Sequence, residues 1–129
     1  MARIVQFHET GGPEVLRLDQ VPERDPGPGE VRLKIEAIGL NRAEVMLREG
    51  AYHEQPIFPS RIGYEAAGVV DALGSGVTHI REGERVATVP SFALSQTRHG
   101  VYGESAVVPA EVAIPYPASL SPIQGASIW

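Results

Sequence analysis

The longest alternation in the chain runs through EVRLKIEAIGL, residues 30–40. Val31, Leu33, Ile35 and Ala37 fall on one side and Arg32, Lys34 and Glu36 on the other. A two-residue period of this kind predicts a strand with one packed and one wetted face, as in antiparallel sheets. Shorter apolar runs repeat the theme at RIVQF (3–7), VLRLD (15–19), YEAAGVVDAL (64–73), REGERVATV (81–89), GVYGESAVVP (100–109) and EVAIPYP (111–117). Turn signals separate them: TGGPE (10–14), GSG (74–76) and Glu82-Gly83-Glu84. DPGPGE (25–30) reads as a stiff connector, because proline fixes φ while glycine permits positive φ. Many short strands between turns predict a mainly β fold with a few short helices.

The period changes at Asn41. In NRAEVMLREG the asparagine is placed to cap a helix, with Glu44 three residues on and Gly50 just beyond the last turn. One helix of about two turns is predicted, followed by a loop (51–60) held extended by Pro56 and Pro59. A second helix start lies at SPIQGASIW (121–129), where Ser121 caps, Pro122 takes the first helical position and Gln124 completes a capping box. That helix lacks a closing signal, and Trp129 stands at its end. The expectation is therefore a domain over 1–120, with 121–129 beginning a helix that leads into a further segment of a longer polypeptide.

Charge and composition narrow the function classes. The formal net charge is −5, and the eleven Lys and Arg residues are scattered, so no concentrated basic face offers itself to nucleic acid. No apolar run approaches a membrane span, and MARIVQFHET lacks the apolar stretch of a secretory signal. These features predict a cytoplasmic protein with neither a nucleic-acid nor a membrane partner. The chain has no cysteine, which removes disulfides and thiolate metal ligands. His8, His53, His79 and His99 are dispersed, without ligand-pair spacing, and read as surface or loop residues.

Several separated motifs then carry a family resemblance. They are Gly39-x-Asn41 after the long strand, Arg48-Glu49-Gly50-Ala51-Tyr52, Gly63-x-Glu65-x-x-Gly68, Gly74-x-Gly76-Val77, Gly83-x-Arg85-Val86, Gly103-Glu104 and Val107-Val108-Pro109. In this order they resemble the N-terminal, GroES-like domain of the medium-chain dehydrogenase/reductase superfamily, closest to its zinc-independent quinone oxidoreductases. The resemblance covers nearly the whole chain. It implies a GroES-like, partly open β-barrel, the catalytic domain of a two-domain reductase. In such enzymes a Rossmann domain follows, binds the nicotinamide cofactor and usually mediates dimerisation. By that analogy the parent is a homodimer through the segment beyond residue 129. Gly74-x-Gly76 is not a dinucleotide fingerprint: position 79 is His79, and no helix follows to receive a pyrophosphate.

The resemblance also bears on metal. In zinc-dependent members the positions matching Asn41 and Tyr64 are a cysteine and a histidine, both zinc ligands. An amide and a phenol replace them here, and both bind zinc poorly. The expectation is no zinc, with NADPH (or NADH) as cofactor of the parent enzyme. Without a Lewis acid, hydrogen-bond donors must polarise the carbonyl or quinone oxygen as hydride arrives. The candidate catalytic residues are Asn41, Tyr52 and Tyr64, with Asn41 also expected to help place the cofactor.

Each candidate has a structural alternative. Asn41 would serve purely as a helix cap, Tyr52 as an aromatic plug over the barrel and Tyr64 as a core tyrosine. Arg48 is expected to be an exposed helix charge, and Glu65 to anchor its loop. The predicted activity is reduction of a small-molecule quinone or enone. The alternatives are an enoyl-thioester or alkenal reductase of the same superfamily, a non-catalytic GroES-like binding module, and a zinc dehydrogenase with unusual ligands. The chain alone is expected to be inactive.

Overall fold

Two antiparallel sheets and three short helices make up the computed structural model, which describes residues 1–129. The smaller sheet pairs β1 (Ala2–Phe7) with β2 (Leu16–Val21), joined through the turn at 10–14 and a single 3-10 turn at Pro13–Val15. The larger one has the order β6-β3-β4-β5-β7, with β3 at Glu30–Gly39, β4 at Glu65–Leu73, β5 at Arg85–Thr88, β6 at Ser105–Pro109 and β7 at Ala113–Pro115. The sheets do not close into a complete barrel. Bridges from Ile4 to Gly103 and from Phe7 to Ser60 fasten the small sheet to the main body. No helix is long and apolar enough to cross a membrane.

The predicted alternation of β3 is realised. Val31 and Leu33 are fully buried and Lys34 and Glu36 are exposed. Irregularities in pairing at Arg32/Leu33 and Ile35/Ala37 let this long strand bend between β4 and β6. The core gathers inward-facing residues of the large sheet, among them Val31, Leu33, Val70, Val86, Val101 and Val108. A smaller cluster of Phe7, Leu47 and Ile62 fills the space between the small sheet and the first helix.

That helix, α1 (Arg42–Glu49), starts at Asn41 and ends at Gly50 in the left-handed conformation, as its capping signals require. Its inner face differs from expectation. Arg48 is not an exposed charge but is 7% exposed, with its Nη1 donating to the Gly11 carbonyl oxygen at 2.6 Å. This contact ties the helix to the first turn of the chain and compensates the buried guanidinium. Residues 100–104 are also not strand: β6 begins only at Ser105, after a segment pinned by main-chain bonds to Ile62, Gly63 and Arg3.

Two further elements complete the frame. A one-turn helix, α2 (Gln96–His99), has no counterpart in the sequence reading, and it buries His99, which was expected to be a surface or loop residue. The C-terminal helix α3 (Pro122–Gly125) has the anticipated Ser121–Gln124 capping box but makes one turn rather than two. It lies on β3 and β4.

Candidate active site

Tyr52 and Tyr64 converge on one open cleft of about 330 Å³, lined also by His53, Pro90, Ser91 and Phe92. Tyr52 stands on the loop after α1, its ring half-buried against the Phe7–Leu47–Ile62 cluster. His53 lies against it with ring centroids 4.0 Å apart, and Phe92 meets His53 edge-on at 5.2 Å. Tyr64 immediately precedes β4, and its ring leans on the large core. Buried Thr88 on β5 fixes that point of the backbone: its Oγ1 donates to the Tyr64 carbonyl oxygen at 2.8 Å and accepts the Ala66 N–H at 2.9 Å. Gly63 turns the chain just before Tyr64, with φ of +92°, where a Cβ would strike the Tyr102 ring.

The four tyrosines divide into two kinds. The Tyr102 hydroxyl donates to Glu44 Oε1 at 2.9 Å, and the Tyr116 hydroxyl accepts from Arg85 at 3.0 Å. Tyr52 and Tyr64 make no side-chain hydrogen bond of normal geometry to protein and face the cleft. Burial holds both phenols above their ordinary pKa, reinforced by the negative charge of Glu44, with Glu54 adding to it at Tyr52 and Glu65 at Tyr64. Both therefore remain protonated donors across the physiological range.

Asn41 is placed differently. It lines a separate hollow with Leu40, Glu44, Arg48 and Tyr102 rather than the tyrosine cleft. Its Nδ2 donates to Glu65 Oε1 at 2.9 Å and its backbone N–H to Glu44 Oε1 at 3.2 Å. Glu65 is 4% exposed, and its second oxygen accepts the Trp129 N–H at 3.1 Å. Gly39 makes room for this arrangement, since a Cβ there would strike Glu65 and the Ala126 carbonyl. Burial raises the Glu44 carboxyl pKa, against the stabilising Tyr102 and backbone bonds, and its Oε2 is buried with no partner. Asn41 is thus both a helix cap and one end of a buried polar knot, and Glu65 anchors more than its own loop.

The donors at positions 41 and 64 do not fit zinc. The Asn41 amide is committed to Glu65, and the Tyr64 phenol is pushed toward its neutral form. No three His, Asp or Glu side chains cluster in a way that would hold a metal ion.

Residues that sequence reasoning passed over brace the loops that form the cleft. Glu54, two residues past Tyr52, clamps the start of α2 by accepting from Ser95 Oγ at 2.7 Å, Gln96 N at 2.6 Å and Thr97 N at 3.3 Å. Gln96, 1% exposed, accepts the Gly63 N–H on its Oε1 at 3.0 Å. The loops carrying Tyr52 and Tyr64 are therefore joined through α2. Ser95 ahead of a polar tetrapeptide was the one available sequence signal.

The chain matches known proteins along most of its length. The model of the alcohol dehydrogenase GroES-like domain matches residues 27–118. Quinone oxidoreductase 1 of Escherichia coli is 36% identical over 131 residues, an alignment covering 100% of this chain and 39% of that protein. A 2-haloacrylate reductase of Burkholderia is 38% identical over 126 residues, covering 93% of this chain and 35% of that protein. The crystal structure of Escherichia coli quinone oxidoreductase complexed with NADPH superposes with a TM-score of 0.85 at 34% identity, covering 99% of this chain and 37% of that one. The chain thus spans well under half the length of these relatives. With its family motifs, its open two-sheet β fold and these matches, the chain belongs to the alcohol dehydrogenase GroES-like domain family, and the relatives it matches include quinone oxidoreductases.

Proposed function

We propose that this chain is the substrate-binding domain of an NADPH-dependent oxidoreductase that reduces quinones or related conjugated carbonyls by hydride transfer without zinc. The observation that carries the reading is the pair of tyrosines in the cleft. Two phenols kept protonated, with no normal hydrogen bond to protein and facing one concave space, are the donors such a reaction requires. Hydride delivery to a conjugated carbonyl builds negative charge on oxygen, and O–H groups already in place stabilise it without reorganisation. The names of the relatives and the NADPH in one of them support the substrate class and the cofactor.

NADPH, when bound, supplies the hydride. This chain carries no glycine-rich strand-to-helix turn for the pyrophosphate, so its share of cofactor binding is small and falls to Asn41. Residues 121–129 would lead into the Rossmann domain that holds the rest, through which the parent enzyme would form a homodimer. On this reading the isolated chain does not turn over, because nothing positions a hydride donor against the cleft. Measurable NADPH-dependent quinone reduction by the purified chain, free of contaminating reductase, would overturn that part.

A second reading is reduction of an activated alkene, favoured by the likeness to the 2-haloacrylate reductase. The same cleft serves both. Comparing kcat/KM of the full-length parent for a quinone and for a haloacrylate separates them. A large preference for the haloacrylate would displace the leading proposal.

A further inference from the structure

Gln96 is the least expected of the residues that brace the cleft. It is 1% exposed, yet its Nε2 is buried with no hydrogen-bond partner. Buried amide donors are almost always satisfied, because an orphan forfeits its hydration with nothing in return. The orientation of the amide is fixed. Oε1 accepts the Gly63 N–H at 3.0 Å, and exchanging O for N would set two donors against each other. Nε2 must therefore point away from Gly63.

The surroundings tie this residue to the Tyr52 loop. Glu54 holds the Gln96 backbone N–H at 2.6 Å, together with Ser95 Oγ and Thr97 N. The glutamine is anchored at three points, its main-chain N–H, its side-chain oxygen and its buried stem, while the NH₂ is left over. The Gln96 amide also lowers the phenol pKa of Tyr52, opposing the upward push of burial and of Glu54 and Glu44. An N–H directed at the phenol oxygen has that effect, since it favours the ionised form.

We infer that Gln96 is a positioning residue for Tyr52: its Nε2–H donates to the phenol oxygen. The inference rests on the proposed role of Tyr52 as a donor. A phenol whose oxygen accepts from Gln96 has its own O–H free and aimed elsewhere, into the cleft. The bond also makes Tyr52 a stronger donor, because hydrogen bonds in a chain polarise one another. Through the Gly63 bond the same side chain fixes the turn that presents Tyr64. One buried amide thus sets the spacing between the two phenols.

The test uses the chain itself, with tyrosine rings labelled at Cζ and titrated by NMR, and with the Tyr52 signal assigned by its loss in Tyr52→Phe. Gln96→Glu keeps an oxygen for Gly63 but removes the donor, and at the pH where phenols ionise its carboxylate also repels. Tyr52 should then titrate about half to one pH unit higher or more, the size of one lost hydrogen bond. Tyr64, Tyr102 and Tyr116 should move much less. Gln96→Leu should raise Tyr52 similarly while also loosening Gly63, seen as faster exchange of the Gly63 amide.

If neither variant folds, a change at the other partner still decides the matter: relative to wild type, Tyr52→Phe should shift the Gln96 side-chain NH₂ resonances. Unmoved NH₂ signals in Tyr52→Phe, or an unmoved Tyr52 titration in a folded Gln96→Glu, would overturn the inference. A positive titration result alongside full activity of Tyr52→Phe in the parent enzyme would leave the Gln96–Tyr52 contact standing and remove the proposed chemistry instead.

Discussion

The tyrosine cleft and the Asn41 knot lie close together but are built on opposite terms. In the cleft, Tyr52 and Tyr64 keep their hydroxyls free of normal protein bonds, and the walls are ring faces of Tyr52, His53 and Phe92. In the knot, Asn41 is bonded to both Glu44 and Glu65, Tyr102 to Glu44, and Trp129 to Glu65. Unpaired polar groups facing open space are available to a ligand, while polar groups bonded to one another fix geometry. The contrast separates residues suited to chemistry from those suited to holding it in place. It also moves Asn41, a candidate donor on sequence grounds, toward the supporting side.

The sharpest way to break the contrast is Tyr52→Phe in the full-length parent. Loss of one donor to a developing oxyanion is expected to lower kcat by about two to three orders of magnitude, with NADPH binding changed far less and the urea midpoint nearly unchanged. Steady-state kinetics and a denaturation curve check both arms. If Tyr52→Phe is fully active while Tyr52→Ala is not, the ring is a packing element.

The knot should respond in the opposite way. Glu65→Ala leaves the Asn41 Nδ2 and the Trp129 N–H without their acceptor, and a loss of about 2–4 kcal/mol in folding stability is expected. Urea unfolding followed by Trp129 emission measures it. A stability loss under about 0.5 kcal/mol, the range of ordinary surface changes, would mean that the knot does not bear on the fold. Tyr102→Phe removes the bond to Glu44 and a longer contact, 3.5 Å, to the Gly39 carbonyl oxygen, and should cost about 1 kcal/mol by the same measurement.

The smallest effect is in pH. Burial holds Glu44 above its ordinary pKa of 4.5, so the folded chain binds this proton more tightly than the unfolded one. Its contribution to stability is complete below about pH 4.5 and is lost as pH rises through the raised folded value. His99 acts in the opposite direction. Burial lowers its pKa below 6.5, so its neutral form, whose Nδ1 accepts the Ser95 N–H at 3.0 Å, favours folding above that pH. That contribution fades as pH falls through the depressed value. Stability profiles of Glu44→Gln and His99→Gln should each flatten on the corresponding side.

How much of this was visible in the sequence follows from what each residue packs against. The β3 alternation, the Asn41 and Ser121 caps and the Gly50 stop are local patterns, and each produced the element it predicts. Tyr52 and Tyr64 were candidates together with Asn41; the cleft joins the two tyrosines and leaves Asn41 at a separate hollow. Arg48 was misplaced, and the burial of Glu44, whose capping role was read, went unseen, because a charged side chain on the inner face of a helix contradicts the apolar pattern used to find that face. Helix α2 went unseen for a related reason. Its Gln-Thr-Arg-His turn has no apolar period and is held by Glu54 from a loop 42 residues earlier, a contact no window reveals.

An asparagine gripped at both ends is difficult to replace one substitution at a time. Any residue at position 41 that cannot donate leaves Glu65 Oε1 without its partner, and any neutral apolar residue at 65 leaves the amide at 41 without its acceptor. Sequences that depart from this pair would therefore be expected to change both positions together. Single-site mutational scans would score each position as intolerant, whereas a paired library would uncover viable combinations.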